Sequence, residues 1–158
     1  MGLDITAYKK LKEVENPQFD KNGELVDWEN QWRPGASMEW SESVWIGRGE
    51  PLNPQSVYSW EKEYGFRAGS YCGYNWWRDK LAEFAEDDAF EELIDFADNE
   101  GVIGSKVSKK LYDDFRNYHE EAFEFSKTLN DGEWWFNKYR DWETAFEMAK
   151  EDGAVRFW

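Results

Sequence analysis

The residue types that could do chemistry are unevenly supplied in this chain. Cys72 is the only cysteine and His119 the only histidine, so the usual nitrogen and sulfur ligand sets for zinc or haem cannot be furnished. A Cys–His nucleophile pair would need these two to meet in space. The sequence carries no G-x-S-x-G elbow, no Walker lysine and no dinucleotide fingerprint after a strand. His119 stands between Tyr118 and Glu120 beside an apolar stripe and reads as a surface histidine. Carboxylates, by contrast, abound, with 34 Asp and Glu against 19 Lys and Arg and a formal net charge of −15. Two of them could act as the acid and base of a glycosidase, yet no pair is set apart from the others. Asp95, Asp98 and Glu100 in DFADNEG come nearest to a divalent-metal cluster, and a turn joining two helices explains them better. The sequence therefore assigns no catalytic residue, no metal and no cofactor.

Two stretches stand out as binding surfaces instead. The first is an acidic run containing Asp79, Glu83, Glu86, Asp87, Asp88, Glu91, Glu92, Asp95, Asp98 and Glu100, interrupted by the single base Lys80. On consecutive helices it would form a negative face opposite an apolar one, most simply a solvated face. Its sharper meaning is mimicry of duplex DNA, which presents one charge per about 1.7 Å of axis. Asp113, Asp114, Glu120, Glu121 and Glu124 would extend that face. The second is GFRAGSYCGYNWWR, residues 65–78, which gathers rings and scarce cations in an acidic chain. Arg67 and Arg78 could fork onto carboxylate or phosphate. Tyr71, Tyr74, Trp76 and Trp77 could stack on a flat ligand or fill a partner's pocket, being residue types favoured at hot spots. The plainer account has the arginines paired with the chain's own carboxylates and the rings filling the seam between sheet and helices.

The charge balance narrows the partners. Bare nucleic acid binds through cations that release its counterions, and a negative membrane surface selects for basic segments. Neither suits this chain, so a protein with a basic surface is the expected partner. No run of 18 apolar residues exists and the N-terminus lacks a signal-peptide core. The expectation is a protein of the reducing cytoplasm; its oligomeric state is open.

The elements that must position these residues can be read from periodicity. The chain has the length of one domain, and its aromatic fraction of 19% predicts a core built from rings. Leu3, Ile5 and Ala7 alternate with polar neighbours, as in a half-buried strand. Asn22-Gly23 signals a hairpin; a calcium loop through Asp20, Asn22 and Glu24 has its glycine two places too early. Residues 29–64 read as irregular, with short strands. Trp77, Leu81 and Phe84 mark a helix with Asn75 as N-cap, and Asp88 with Glu91 forms a capping box for a second. DNEGVIG reads as a turn. Val107, Leu111, Phe115, Tyr118, Ala122, Phe125 and Leu129 predict one unbroken helix, and Trp135, Tyr139, Trp142, Phe146 and Ala149 another. Gly153 suits the C′ position, and AVRFW a final strand against the N-terminal one. The predicted fold is α+β, a small, mostly antiparallel sheet of N-terminal and C-terminal strands packed by about four helices of the second half, in a single domain spanning 1–158.

The opening MGLDITAYKKL resembles that of small proteins of tailed bacteriophages and prophages. The similarity continues in GFRAGSYCGYNWWRDKLA, in FEELIDFADNEGVIGSKVSKKLYDDF and in the terminal EDGAVRFW. This family has no established activity and supplies no catalytic residues. What the resemblance implies is a bacterial host cytoplasm during infection. It also implies, by analogy with other small acidic phage proteins, an inhibitor of host defence or nucleic-acid-handling machinery, of the anti-CRISPR or anti-restriction kind. The expected function is therefore a non-enzymatic acidic binding protein. The alternatives are a small-ligand binder, of a nucleotide second messenger for instance, and a carboxylate-dependent hydrolase.

Overall fold

The computed structural model describes residues 1–158. In chain order the elements are β1 (Gly2–Lys9), β2 (Lys12–Glu13), α1 (Gly35–Val44), β3 (Tyr58–Ser59), β4 (Lys62–Ser70) and α2 (Tyr71–Phe84). They continue as α3 (Glu91–Ile94), β5 (Gly101–Gly104), α4 (Ser105–Asn117), α5 (His119–Ser126), α6 (Gly132–Ala149) and β6 (Ala154–Phe157). The fold is α+β. Its main sheet runs in the order β4-β1-β6-β5 and is antiparallel throughout, while β2 and β3 form a separate two-stranded pair.

The alternation of β1 does what its period requires. Leu3, Ile5 and Ala7 face the large core together with Ile103, Val155 and Phe157, and the helices cover that face. Tyr8, Val102 and Ala154 face the other way and pack with Trp32 and Met38 from the long 11–61 segment. The sheet is thus covered on both sides at β5, whereas β4 leaves Glu63 and Arg67 exposed. This explains why GVIG, read as a turn, is strand β5: a fully covered short strand shows no alternation. Its outer edge is closed as well. The Val102 N–H reaches the Ser41 hydroxyl at 3.4 Å and the Gly104 N–H donates to the Arg48 carbonyl at 2.8 Å, which leaves no open ladder for another chain.

Rings fill the core as their number requires. Trp77, Trp135, Trp142, Tyr74, Tyr139, Phe90, Phe115 and Phe146 are among the fully buried side chains. Trp77 and Trp135 lock together, each indole N–H donating to the other's carbonyl, at 3.0 and 3.1 Å. Tryptophan can be buried at little polar cost when its N–H is paired in this way.

Several local expectations are corrected. The N-cap of α2 is Ser70, whose hydroxyl accepts the Gly73 N–H at 3.0 Å, and Asn75 lies inside the helix. The Asp88 capping box does not form. Phe90 occupies the cap of α3 at φ 62, because its ring is drawn into the core and its N–H is taken by Asp114 at 3.0 Å. The predicted long helix breaks at Tyr118 into α4 and α5. Residues 35–44, read as irregular, form α1; its periodicity is weak because Met38 and Ser41 are its only buried residues. The fold therefore has six helices where about four were expected. Asp152, not Gly153, holds the left-handed conformation after α6, at φ 52. Gly153 is required for another reason: a Cβ there would overlap the Tyr8 carbonyl oxygen. At Asn22-Gly23 the chain does reverse. Phe19 bridges Leu25, and the Asp20 carboxylate accepts from the N–H groups of Asn22 and Glu24.

One buried contact gives the fold a limit in alkali. The Tyr64 hydroxyl on β4 donates to Asp141 of α6 at 2.7 Å. Burial first, then this carboxylate, pushes its pKa from 10.0 to about 12. A folded-state pKa above the unfolded one means the contribution is complete below pH 10 and is lost as pH climbs toward 12. Tyr64→Phe should be somewhat less stable near neutrality but should lose stability less steeply above pH 10. Thermal melts across that window will show it, and parallel curves for the two proteins would acquit Tyr64.

Candidate functional site

The ring-rich stretch is divided by helical geometry. Residues 62–70 form β4, and residues from 71 onward wind into α2, where side chains three and four apart share a face. Tyr74, Trp77 and Leu81 therefore point into the core, fully buried. The assignment of Tyr74 and Trp77 as ligand or partner anchors is corrected: no approaching molecule can touch them. Trp76 is displayed differently, half-buried against the ring of Trp134 at 6.2 Å, near exposed Cys72. Arg78 is committed internally. It donates to the Phe96 carbonyl and to Asn75 Oδ1, and lies 4.9 Å over the Tyr74 ring. Arg67 pairs with Asp4 at 3.3 Å on the surface. Tyr71 faces a different cleft, described below. The six residues thus do not form one site.

The acidic run is also divided. Glu83 pairs with Lys80, Glu92 with Lys110 and Asp95 with Arg48, at 2.7, 2.7 and 2.6 Å. Asp98 accepts from Asn75 at 3.0 Å. The metal-cluster reading of Asp95, Asp98 and Glu100 fails on this geometry, because Asp95 and Asp98 turn to different neighbours and no three carboxylates come together. Asp79, Glu86, Asp87, Asp88, Glu91 and Glu100 remain exposed.

Negative charge gathers elsewhere, across the break at Tyr118, where only Asp114 is neutralised, by Lys110 at 2.7 Å. Burial, then Glu86, Asp87, Asp114 and Glu121, raise the Tyr118 hydroxyl pKa, so these four carboxylates from three segments converge on one ring. Tyr139 is raised in the same way, by burial and then by Glu143, Glu121 and Asp114. Beyond Tyr118, α5 turns and packs on α6, and between them lies an open groove of about 960 Å³. Glu120, Glu121, Glu124 and Glu143 line it, with the rings of Phe123 and Phe136. Its cationic lining is Arg140 and, when protonated, His119. The His119 ring is held by Glu143, with Nδ1 3.0 Å from Oε2, and stands edge-on to Phe136 at 5.4 Å. Phe123 is 46% exposed, so its ring is available. Carboxylates beside open aromatic faces are acceptors for an ammonium or guanidinium group.

Of these residues, the sequence reading singled out Glu120, Glu121 and Glu124 as an extension of the acidic face, and Asp114 with them. It missed Phe123, Phe136, Arg140 and Glu143, and His119 is a groove residue rather than an isolated surface one. A signal was present. Asn117 is a plausible helix stop, and Glu120-Glu121 is the acidic first turn of a new helix. Compared with protein-family models, curated proteins and solved structures, the chain matches none. No helix is long and apolar enough to cross a membrane.

Proposed function

We propose that this protein acts by binding, and that the groove between α5 and α6 receives a basic segment of a partner protein. The observation that carries this is the company of Lys127. Its Nζ lies 2.9 Å from Glu124 Oε1 and 4.6 Å from the centroid of Phe123. The chain's own lysine thus makes, at the rim, the contact of an ammonium with carboxylate and ring, and Glu120 and Glu121 in the same groove have no cationic partner. Exposed Phe123 and half-buried Phe136 supply apolar anchors, and the surrounding field from Glu86 and Asp87 draws a cationic partner in. As the resemblance to bacteriophage proteins implies, the partner class is a host defence or nucleic-acid-handling protein. The acidic groove would occupy a surface meant for phosphates.

The test is a calorimetric titration with a short peptide of alternating lysine and arginine. Binding is expected at low salt. Affinity should fall at least about tenfold as ionic strength rises from 0.05 to about 0.5 M, because steering between exposed charges is screened. An acidic peptide of equal length should not bind. Absence of binding at low salt, or equal binding of both peptides, would remove the reading.

A further inference from the structure

A second cleft lies on the opposite side of the sheet from α6, and its chemistry is of the other sign. It measures about 420 Å³, within the range of small-ligand pockets, and is lined by Trp32, Arg33, Ser37, Tyr71, Arg156 and Trp158. Four separate parts of the chain meet there. Arg156 is carried by β6, Trp158 follows it, Arg33 precedes α1, and Tyr71 opens α2.

Neither arginine of this cleft is spent on a carboxylate, a state they share with Arg116 and Arg140. Arg48 and Arg67 are taken by carboxylates, and Arg78 by a carbonyl and an amide. Arg33 and Arg156 form no ion pair, although acidic residues outnumber basic ones 34 to 19. Each rests on a ring instead, Arg33 5.0 Å over Phe19 and Arg156 4.9 Å over Trp158. Arg156 also hydrogen-bonds the Tyr8 hydroxyl; with no carboxylate on either guanidinium, the remaining N–H groups can serve an oxyanion. The Trp158 indole is itself fixed, donating to Thr6 Oγ1 at 3.0 Å, while its backbone pairs with Asp4 in both directions. Over half of that residue is still exposed, at 54%. Tyr71 adds a second, half-buried ring. Asn99 and Glu100 at the rim add acceptors.

We propose that this cleft binds a phosphorylated nucleoside. The phosphates are forked by Arg33 and Arg156, the base stacks on Tyr71 or the open face of Trp158, and Glu100 accepts from the ribose hydroxyls. Two guanidiniums without a carboxylate partner fit a phosphate chain better than a single carboxylate, and Glu100 would repel an anion that lacked hydroxyls to offer it. The site is distinct from the acidic groove and does not depend on it.

ADP, GDP, CDP and UDP serve as probes, with adenosine and pyrophosphate as the separate halves. At least one diphosphate is expected to bind by calorimetry and to raise the melting temperature in proportion to its occupancy. Arg33→Ala alters an exposed side chain and should preserve the fold while weakening that binding at least about tenfold. Arg156→Lys keeps a charge but loses the fork and should weaken it similarly. The proposal is overturned if no diphosphate binds, if Arg33→Ala binds unchanged, or if pyrophosphate alone binds as tightly as the nucleotide. The last result would mean that the rings contribute nothing.

Discussion

Replacing Trp77 with alanine is expected to destabilise the protein by about 4 kcal/mol, in the range for large buried rings, and to lower its melting temperature by roughly 10 °C. Trp77 is wholly buried and stacks near Tyr74, Trp135 and Trp142 at 6.1, 6.1 and 5.9 Å. Its removal leaves a cavity and strands the Trp135 carbonyl that its N–H serves. Trp76→Ala, one residue away, should cost about 1 kcal/mol at most, because that ring lies at the surface against Trp134. The contrast tests the division of the ring-rich stretch. Equal effects in chemical denaturation would mean that α2 is turned differently from the structure. Trp77→Phe keeps most of the volume and should fall between the two, which separates the cavity from the lost hydrogen bond.

The second large effect is on binding. The triple reversal of Glu120, Glu121 and Glu124 to lysine should weaken capture of the basic peptide at least about 100-fold at low salt. The fold should survive, since all three side chains are exposed on α5. A small cost is expected, because Glu120 and Glu121 sit in the first turn of α5, where negative charge suits the helix dipole. The same reversal at Glu83, Glu92 and Asp95 should weaken the peptide far less. Those carboxylates lie outside the groove and all three are paired, with Lys80, Lys110 and Arg48, whereas of the three in the groove only Glu124 is, with Lys127. If the two triple variants lose binding equally, attraction is a property of net charge rather than of the groove.

The parts of the fold that were legible are those where one residue's environment is set by a regular period. The stripe Trp135, Tyr139, Trp142, Phe146 and Ala149 is buried along its whole length in α6. Leu3, Ile5 and Ala7 lie on one face of β1, and the terminal AVRF pairs with that strand. The break at Tyr118 was hidden because the apolar phase continues through it. Tyr118 ends α4 and begins α5 while its ring still touches Phe84 and Phe90 at 5.8 Å. A stripe of correct spacing cannot distinguish one helix from two that share a half-buried hinge residue. The groove depends on that hinge, so the apolar spacing alone did not disclose it, even though three of its glutamates were named and Asn117 with Glu120-Glu121 carried a signal for the break. The arginine cleft was hidden for a different reason. It brings together residues as distant as Arg33 and Arg156, and no local pattern records such a meeting. In GFRAGSYCGYNWWR, dense composition suggested a site, but the 3.6-residue period of α2 sends Tyr74 and Trp77 to the core and leaves Trp76 outside.

The groove between α5 and α6 is tested most directly by mapping backbone and ring chemical shifts as the lysine–arginine peptide is added to the isotope-labelled protein. The account predicts that the perturbed signals cluster at His119, Glu120, Glu121, Phe123, Glu124, Phe136 and Glu143, with Arg33, Arg156 and Trp158 unmoved. Perturbations spread evenly over the acidic surface, or centred on Asp79 to Glu100 with the groove silent, would contradict it.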